Sequence, residues 1–198
     1  MKQSQESAMT GFGMVFPGQG SQSKGMLSDM AATETLIRET FAEASEALGY
    51  DLWTLVTKDP EGLLDKTEYT QPAILTASVA LFRLWLHENG PKPVIMAGHS
   101  LGEYSALVCA NAMDLRTGVT LVQRRGQLMQ SAVPEGEGAM AAVLGLQDEA
   151  VRSACDHARG DGVLAAVNYN APGQVVIAGD RAAVERGIQA CKQTGARR

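Results

Sequence analysis

With 198 residues, 45% of them hydrophobic, and a formal net charge of −5, the chain can hold one large domain, or one domain plus a small one. The acidic balance argues against a nucleic-acid partner as the main function, and no stretch approaches the roughly twenty apolar residues that a membrane-crossing helix needs. Residues 1–10 are polar and lack the apolar core of a secretion signal, so they read as an N-terminal extension of a cytoplasmic protein. Gly13–Phe16 is a short apolar strand, halted by Pro17-Gly18-Gln19-Gly20-Ser21-Gln22. Thr35–Leu48 carries Leu36, Ile37, Phe41, Ala44 and Leu48 at helical spacing, with Glu39, Glu43 and Glu46 on the wet side and Gly49 as the stop. Residues 52–56 read as a shorter helical turn. A long helix is predicted over residues 70–89, with Pro72 in its first turn and Gly90 after its end. Its Ile74, Leu75, Val79, Leu81, Leu84 and Leu86 cover most sides, which predicts a buried, central element. Residues 93–97 read as a buried strand and residues 103–110 as a helix. Leu115–Ser131 is a further helix, expected to turn Val119, Leu121, Val122 and Leu128 inward.

The pattern changes after Glu135-Gly136-Glu137-Gly138. A strand over 139–146, a helix over 148–159, strands over 163–169 and 174–178, and a helix over 181–194 follow in turn. That order, βαββα, is a ferredoxin-like split βαβ unit without its last strand. Such a sheet keeps an unpaired position that natural domains cover, so the chain is expected to be a fragment or to continue further. The class is α/β, with a larger domain over residues 11–135 and a small one over 136–198. Cys109, Cys155 and Cys191 form no C-x-x-C pair, and with His87, His99 and His157 they show no metal-ligand spacing. Neither a metal site nor a disulfide is expected, and the cysteines read as small core hydrophobes.

Gly98-His99-Ser100-Leu101-Gly102 has the G-x-S-x-G spacing of a nucleophile elbow, and it falls between a predicted strand and a predicted helix. A serine that projects its hydroxyl from so sharp a turn holds a strained backbone, and the two glycines let neighbouring elements approach. The starting helix favours developing negative charge. The plainer alternative is an N-capping serine at an ordinary strand-to-helix turn.

Three motifs in this order, Phe16-Pro17-Gly18-Gln19-Gly20-Ser21-Gln22, Gly98-His99-Ser100-Leu101-Gly102-Glu103-Tyr104-Ser105-Ala106-Leu107, and Gln174-Val175-Val176-Ile177-Ala178-Gly179 after Asn170-Ala171-Pro172-Gly173, carry a resemblance. From about Met14 to Arg198 the chain resembles the malonyl-CoA:acyl carrier protein transacylases of bacterial type II fatty-acid synthesis. The resemblance implies an α/β-hydrolase-like large domain, here apparently incomplete, with an inserted ferredoxin-like small subdomain. It implies Ser100 as the nucleophile that becomes malonylated, and the backbone N–H groups of Gln19 and Leu101 as the oxyanion hole. Arg125 then matches the arginine that holds the free malonyl carboxylate, a task that suits a planar guanidinium that stays charged. His99 and Gln19 join it as substrate-binding candidates. Without the resemblance, Arg125 reads as a solvated helix residue beside Arg124, and Gln19 as a residue supporting a turn.

A serine needs a base, usually a histidine within hydrogen-bond reach. His99 adjoins Ser100 and is expected to pack beneath the turn. His87 lies near the end of the long helix, where free carbonyls attract it. His157 lies in the first helix of the small subdomain. The resemblance implies a catalytic histidine after that subdomain, beyond Arg198, and in related serine enzymes loss of the base costs on the order of 10⁶ in turnover. The implied partners are malonyl-CoA and an acidic acyl carrier protein, with Arg124, Lys192, Arg197 and Arg198 as candidate contacts, and with no cofactor, nucleic acid or membrane. The rival readings are a serine thioesterase or esterase, and an inactive fragment or binding module.

Overall fold

The computed structural model describes residues 11–134 and 136–198. The extension expected over 1–10 and Glu135, at the expected domain boundary, lie outside the described residues. The chain divides into two compact units between Gln130 and Ser131.

In the first unit, strand β1 (Gly13–Phe16) pairs in parallel with β2 (Ile95–Gly98), in register from Gly13 opposite Ile95 to Phe16 opposite Gly98. Parallel strands need a long crossover. Helices α1 (Thr35–Leu48), α2 (Leu52–Lys58) and α3 (Thr67–His87) supply it, and α4 (Leu101–Cys109) and α5 (Leu115–Ser131) follow β2. Local chemistry sets the helix ends. Gly49 closes α1 at φ 78°, a left-handed conformation that costs glycine little. Asp51 caps α2, its carboxylate accepting from the Thr54 N–H (2.9 Å) and hydroxyl (2.7 Å). These two bonds hold its pKa below the usual carboxylate value.

Helix α3 is the axle of this unit. Every residue from Thr70 to Ala80 is buried, and apart from Gln71 this stretch is apolar or small all round rather than amphipathic. It begins three residues before the predicted start, because the Lys66 carbonyl already accepts from Tyr69 and Thr70. Pro72 consequently sits in the second turn and not the first. There it removes the N–H that would reach the Glu68 carbonyl. Around α3 the side chains of Ile37, Phe41, Leu52, Val56, Leu75, Leu101, Leu115, Val119 and Val122 are fully or almost fully buried. Phe16 and Phe82 meet edge to face at 6.5 Å, which ties β1 to α3.

Two expectations are corrected here. The 93–97 segment is not a buried strand. Among the described residues β2 pairs only with β1 and packs on α4, which leaves Val15 (80% exposed), Val94 (74%) and Ile95 (65%) open to solvent. In α5, Leu121 and Leu128 do not face inward: the buried stripe is Leu115, Gly118, Val119, Val122 and Gly126, whose small members let α5 approach its neighbours closely.

The second unit holds β3 (Gly138–Leu144), α6 (Asp148–Ala158), β4 (Leu164–Ala171), β5 (Gln174–Asp180) and α7 (Arg181–Gln193). The strands run antiparallel in the order β3-β5-β4, and α6 and α7 pack against the sheet. Along β5 the fully buried Val175 and Ile177 alternate with the less buried Val176 and Ala178, the period of two that a one-sided core requires. At the end of β3, Leu144 exchanges backbone hydrogen bonds with Arg197 and Arg198, both 2.8 Å, so these two residues lie against that edge. All three cysteines are free and buried. Burial pushes the Cys109 thiol up to about 12 and the Cys155 thiol up to about 11. Among the described residues no helix is long and apolar enough to cross a membrane, and no group of His, Cys, Asp and Glu could hold a metal ion.

Candidate active site

Ser100 stands at the junction of β2 and α4 with φ 54° and ψ −107°, a conformation that residues with a Cβ rarely adopt. Its neighbours explain why the chain submits to that strain. A Cβ on Gly98 would collide with the Gly102 backbone, and one on Gly102 with the Phe16 carbonyl at the end of β1. Both glycines are therefore required by backbone contact, and the elbow is wedged against the sheet. Helix α4 starts at Leu101, two residues before the predicted start. The turn closes directly on the elbow, with the Gly102 N–H donating to the His99 carbonyl (2.9 Å) and the Glu103 N–H to the Ser100 carbonyl (3.3 Å). Those bonds occupy the second and third helical donors. The Leu101 N–H is a first-turn donor with no intrahelical acceptor, and its side chain, 1% exposed, anchors the turn in the core.

The Gln19 loop lies against this turn. A Cβ on Gly18 would stand 2.9 Å from the His99 carbonyl oxygen. The loop braces itself through the Ser21 hydroxyl donating to the Gly18 carbonyl (2.9 Å) and the Gly20 N–H donating to Gln22 Oε1 (2.8 Å). It is also moored to the start of α3, by Gln22 Nε2 donating to Asp65 (2.8 Å) and Gln19 Nε2 donating to Thr67 Oγ1 (3.2 Å). The structure thus brings the Gln19 loop, the Leu101 amide and Ser100 into one neighbourhood.

Arg125 joins them. Its Nη2 donates to Ser100 Oγ at 2.9 Å and its Nη1 to Gln71 Oε1 at 2.8 Å, while its guanidinium carbon stands 5.6 Å from the centre of the Tyr104 ring. It is half-buried; the solvated neighbour is Arg124, which among the described residues donates to Gln127 on its own helix. What seats Arg125 is Gly126. A Cβ there would lie 2.6 Å from Glu68 Cα and 2.8 Å from the Thr67 carbonyl oxygen, so α5 meets α3 backbone to backbone at this point.

The histidines fall elsewhere. His99 is exposed rather than packed beneath the turn, because the Gly18 loop occupies the ground beside its backbone. His87 is the exposed last residue of α3, and His157 turns Nδ1 to the Ser153 carbonyl of its own helix at 2.6 Å. Among the described residues no histidine ring is recorded hydrogen-bonding Ser100. Three residues of this cluster escape sequence reasoning: Gln71, Tyr104 and Gly126. Gln71 carries a signal, being the one long polar side chain in the otherwise apolar or small stretch from Thr70 to Ala80.

The family described as acyl transferase domain matches residues 14–198. The chain is 60% identical over 190 residues to the malonyl CoA-acyl carrier protein transacylase of Escherichia coli (strain K12), covering 96% of this chain and 62% of that protein. Among solved structures, an acyl carrier protein S-malonyltransferase from Vibrio cholerae superposes with a TM-score of 0.91 at 55% identity, covering 96% of this chain and 62% of that one. A malonyl-transacylase in complex with its type II PKS acyl-carrier protein gives 0.92 at 55% identity, covering 96% and 61%. The chain therefore spans less than two thirds of the length of these relatives.

Proposed function

Because the chain belongs to the acyl transferase domain family, we propose that it carries the nucleophile and the acyl-recognition half of a malonyl-CoA:acyl carrier protein transacylase. The observation that carries this reading is the Arg125 guanidinium, held 2.9 Å from Ser100 Oγ in a half-buried position. Malonyl-CoA bears a carboxylate one methylene away from its thioester carbonyl. With that carboxylate on Arg125, the carbonyl carbon falls beside Ser100 Oγ, the orientation that converts binding energy into attack geometry. A guanidinium is a donor and no base, so its role is to hold the anion by charge-assisted bonds.

Ser100 Oγ attacks the thioester, and the N–H groups of Gln19 and Leu101 hold the oxyanion. Each such donor is worth on the order of 10²–10³ in rate. CoA leaves as the thiol, and the pantetheine thiol of acyl carrier protein then takes the malonyl group from the serine ester in a ping-pong sequence. No cofactor takes part. The general base in this reading is a histidine, the role that the family resemblance implies, and the exposed His99 lines the substrate entrance. We further propose that the first unit is the α/β-hydrolase-like part of the fold, and that the second is a ferredoxin-like subdomain without its last strand, whose place is the edge of β3. A cytoplasmic location and an acidic carrier protein approaching exposed cations such as Arg124 complete the reading.

The test is intact-mass spectrometry after exposure to malonyl-CoA, supplemented by equilibrium binding of malonyl-CoA and acetyl-CoA. In protein that also carries the base, a single malonyl adduct abolished by Ser100→Ala is expected. Arg125→Ala should weaken malonyl binding at least tenfold, since bonds to charged groups contribute about 1.5–3 kcal/mol, and leave acetyl binding nearly unchanged. Equal effects on both acyl groups would overturn the transacylase reading and leave its rival, a serine hydrolase with the same elbow.

A further inference from the structure

Gln71 is fully buried, and it is the one long polar side chain among the completely buried residues of α3. A buried amide must spend both ends on partners. Here Oε1 accepts from Arg125 Nη1 at 2.8 Å, and Nε2 points to the Met129 sulfur at 3.3 Å. These two partners sit on one side of α5, four residues apart, so the amide is gripped between successive turns of one helix. The grip also sets which end is which, because the thioether is a weak acceptor and cannot donate. The carbonyl end is thereby aimed at the arginine. The close approach of α5 to α3 at Gly126, adjacent to Arg125, brings the amide within reach.

The chemistry of this anchor matters more than its existence. Arg125 has a second contact to Ser100 Oγ and a ring of Tyr104 nearby, and none of its recorded partners is an acid. A neutral carbonyl fixes the guanidinium plane while leaving its charge uncompensated. A carboxylate in the same place would fix it equally well, but would cancel the charge and compete for its donors.

We propose that Gln71 is a positioning residue for acyl recognition: a buried, neutral anchor that orients Arg125 toward Ser100 and keeps its positive charge available to a substrate carboxylate. The inference rests on the carboxylate-binding role assigned to Arg125. It places the origin of the malonyl-over-acetyl preference one residue behind the arginine, in the core of the unit.

The experiment measures binding of two non-transferable CoA analogues, malonyl and acetyl, in which a methylene replaces the thioester sulfur. The proteins are the full chain and its Gln71→Glu, Gln71→Met, Met129→Leu and Arg125→Ala variants, each checked for a native circular-dichroism spectrum. Gln71→Glu is expected to weaken the malonyl analogue about tenfold or more, the scale of one charge-assisted bond, with the acetyl analogue unchanged. Gln71→Met removes the carbonyl with little change in volume, and is expected to weaken the malonyl analogue about threefold to tenfold with the same selectivity. It stands in should the glutamate prevent folding. Met129→Leu, which removes the sulfur facing the amide nitrogen and leaves the carbonyl end on Arg125, should preserve most of the preference. The proposal is overturned if folded Gln71 variants keep the parent's malonyl preference, or if they weaken both analogues alike, as a purely structural role would. If Arg125→Ala leaves the preference intact, the failure belongs instead to the function assigned to Arg125.

Discussion

The strain at Ser100 can be weighed. At φ 54° and ψ −107° a residue with a Cβ costs about 1–3 kcal/mol, whereas glycine enters the same region freely. The informative pair is Ser100→Gly against Ser100→Ala. Both lose the hydroxyl and its bond from Arg125, and the side chain is exposed, so those contributions cancel and the backbone difference remains. Glycine gives back about 0.5–1 kcal/mol through the greater freedom of its unfolded chain. At the centres of these two ranges the Gly variant should therefore be more stable than the Ala variant by about 1 kcal/mol. With an m-value of about 2 kcal/mol/M in urea, its midpoint should lie about 0.5 M higher. Urea unfolding followed by tryptophan fluorescence reads this directly, since both tryptophans, Trp53 and Trp85, belong to the first unit. Equal midpoints, or a less stable Gly variant, would refute the view that the elbow stores strain to present its serine.

Other consequences are as specific. Gly126→Ala must push α5 about 0.8 Å from α3 before its Cβ reaches ordinary contact with backbone atoms. A net loss of about 1–2 kcal/mol is expected despite the better helix propensity of alanine, together with weaker binding of malonyl-CoA; a stabilised variant would contradict the close approach. Asp51→Ala should cost about 1 kcal/mol at pH 7 through the lost cap. Because the folded-state pKa of Asp51 is depressed, its contribution is present above the unfolded carboxyl pKa and disappears as pH falls through the folded one. The gap between parent and variant should accordingly narrow in urea titrations below about pH 4. Ile177→Ala, at a fully buried site of β5, should lower the stability of the second unit by about 2–5 kcal/mol, visible as loss of amide-exchange protection in β3, β4 and β5. The three buried thiols should resist alkylation at pH 8 in the native state and react on unfolding; rapid native labelling of Cys109 would contradict its raised pKa.

Much of this architecture was legible in the chain because its signals are local. Glycine stops, the helical spacing of α1 and the period-two strands of the second unit each announce themselves within a dozen residues. The elbow was legible because its glycines are demanded by contacts that only backbone atoms can make. What escaped is what depends on the other side of a contact. The exposure of β2 follows from how many strands stand beside it, and an apolar pentapeptide cannot report that. The exposure of Leu121 and Leu128 follows from α5 using small residues at its closest approach. Arg125 looked solvated because its partner, Gln71, lies 54 positions away on another helix. The early start of α4 escaped because its first hydrogen bonds close on the strained serine rather than on a recognisable capping side chain.

If Arg125 holds the acyl carboxylate as proposed above, the amide behind it also bears on how such a site could be turned to other acyl groups. A single Arg125→Leu exchange would empty the cationic position, but would leave the Gln71 carbonyl without its partner inside the core, at about 1–3 kcal/mol. The simplest one-step route toward longer, uncharged acyl chains is thus obstructed by stability rather than by chemistry. Positions 71 and 125 form a single unit of inheritance in this respect. A broadened pocket should be reached by Gln71→Leu together with Arg125→Leu, and that double variant should fold better than Arg125→Leu alone.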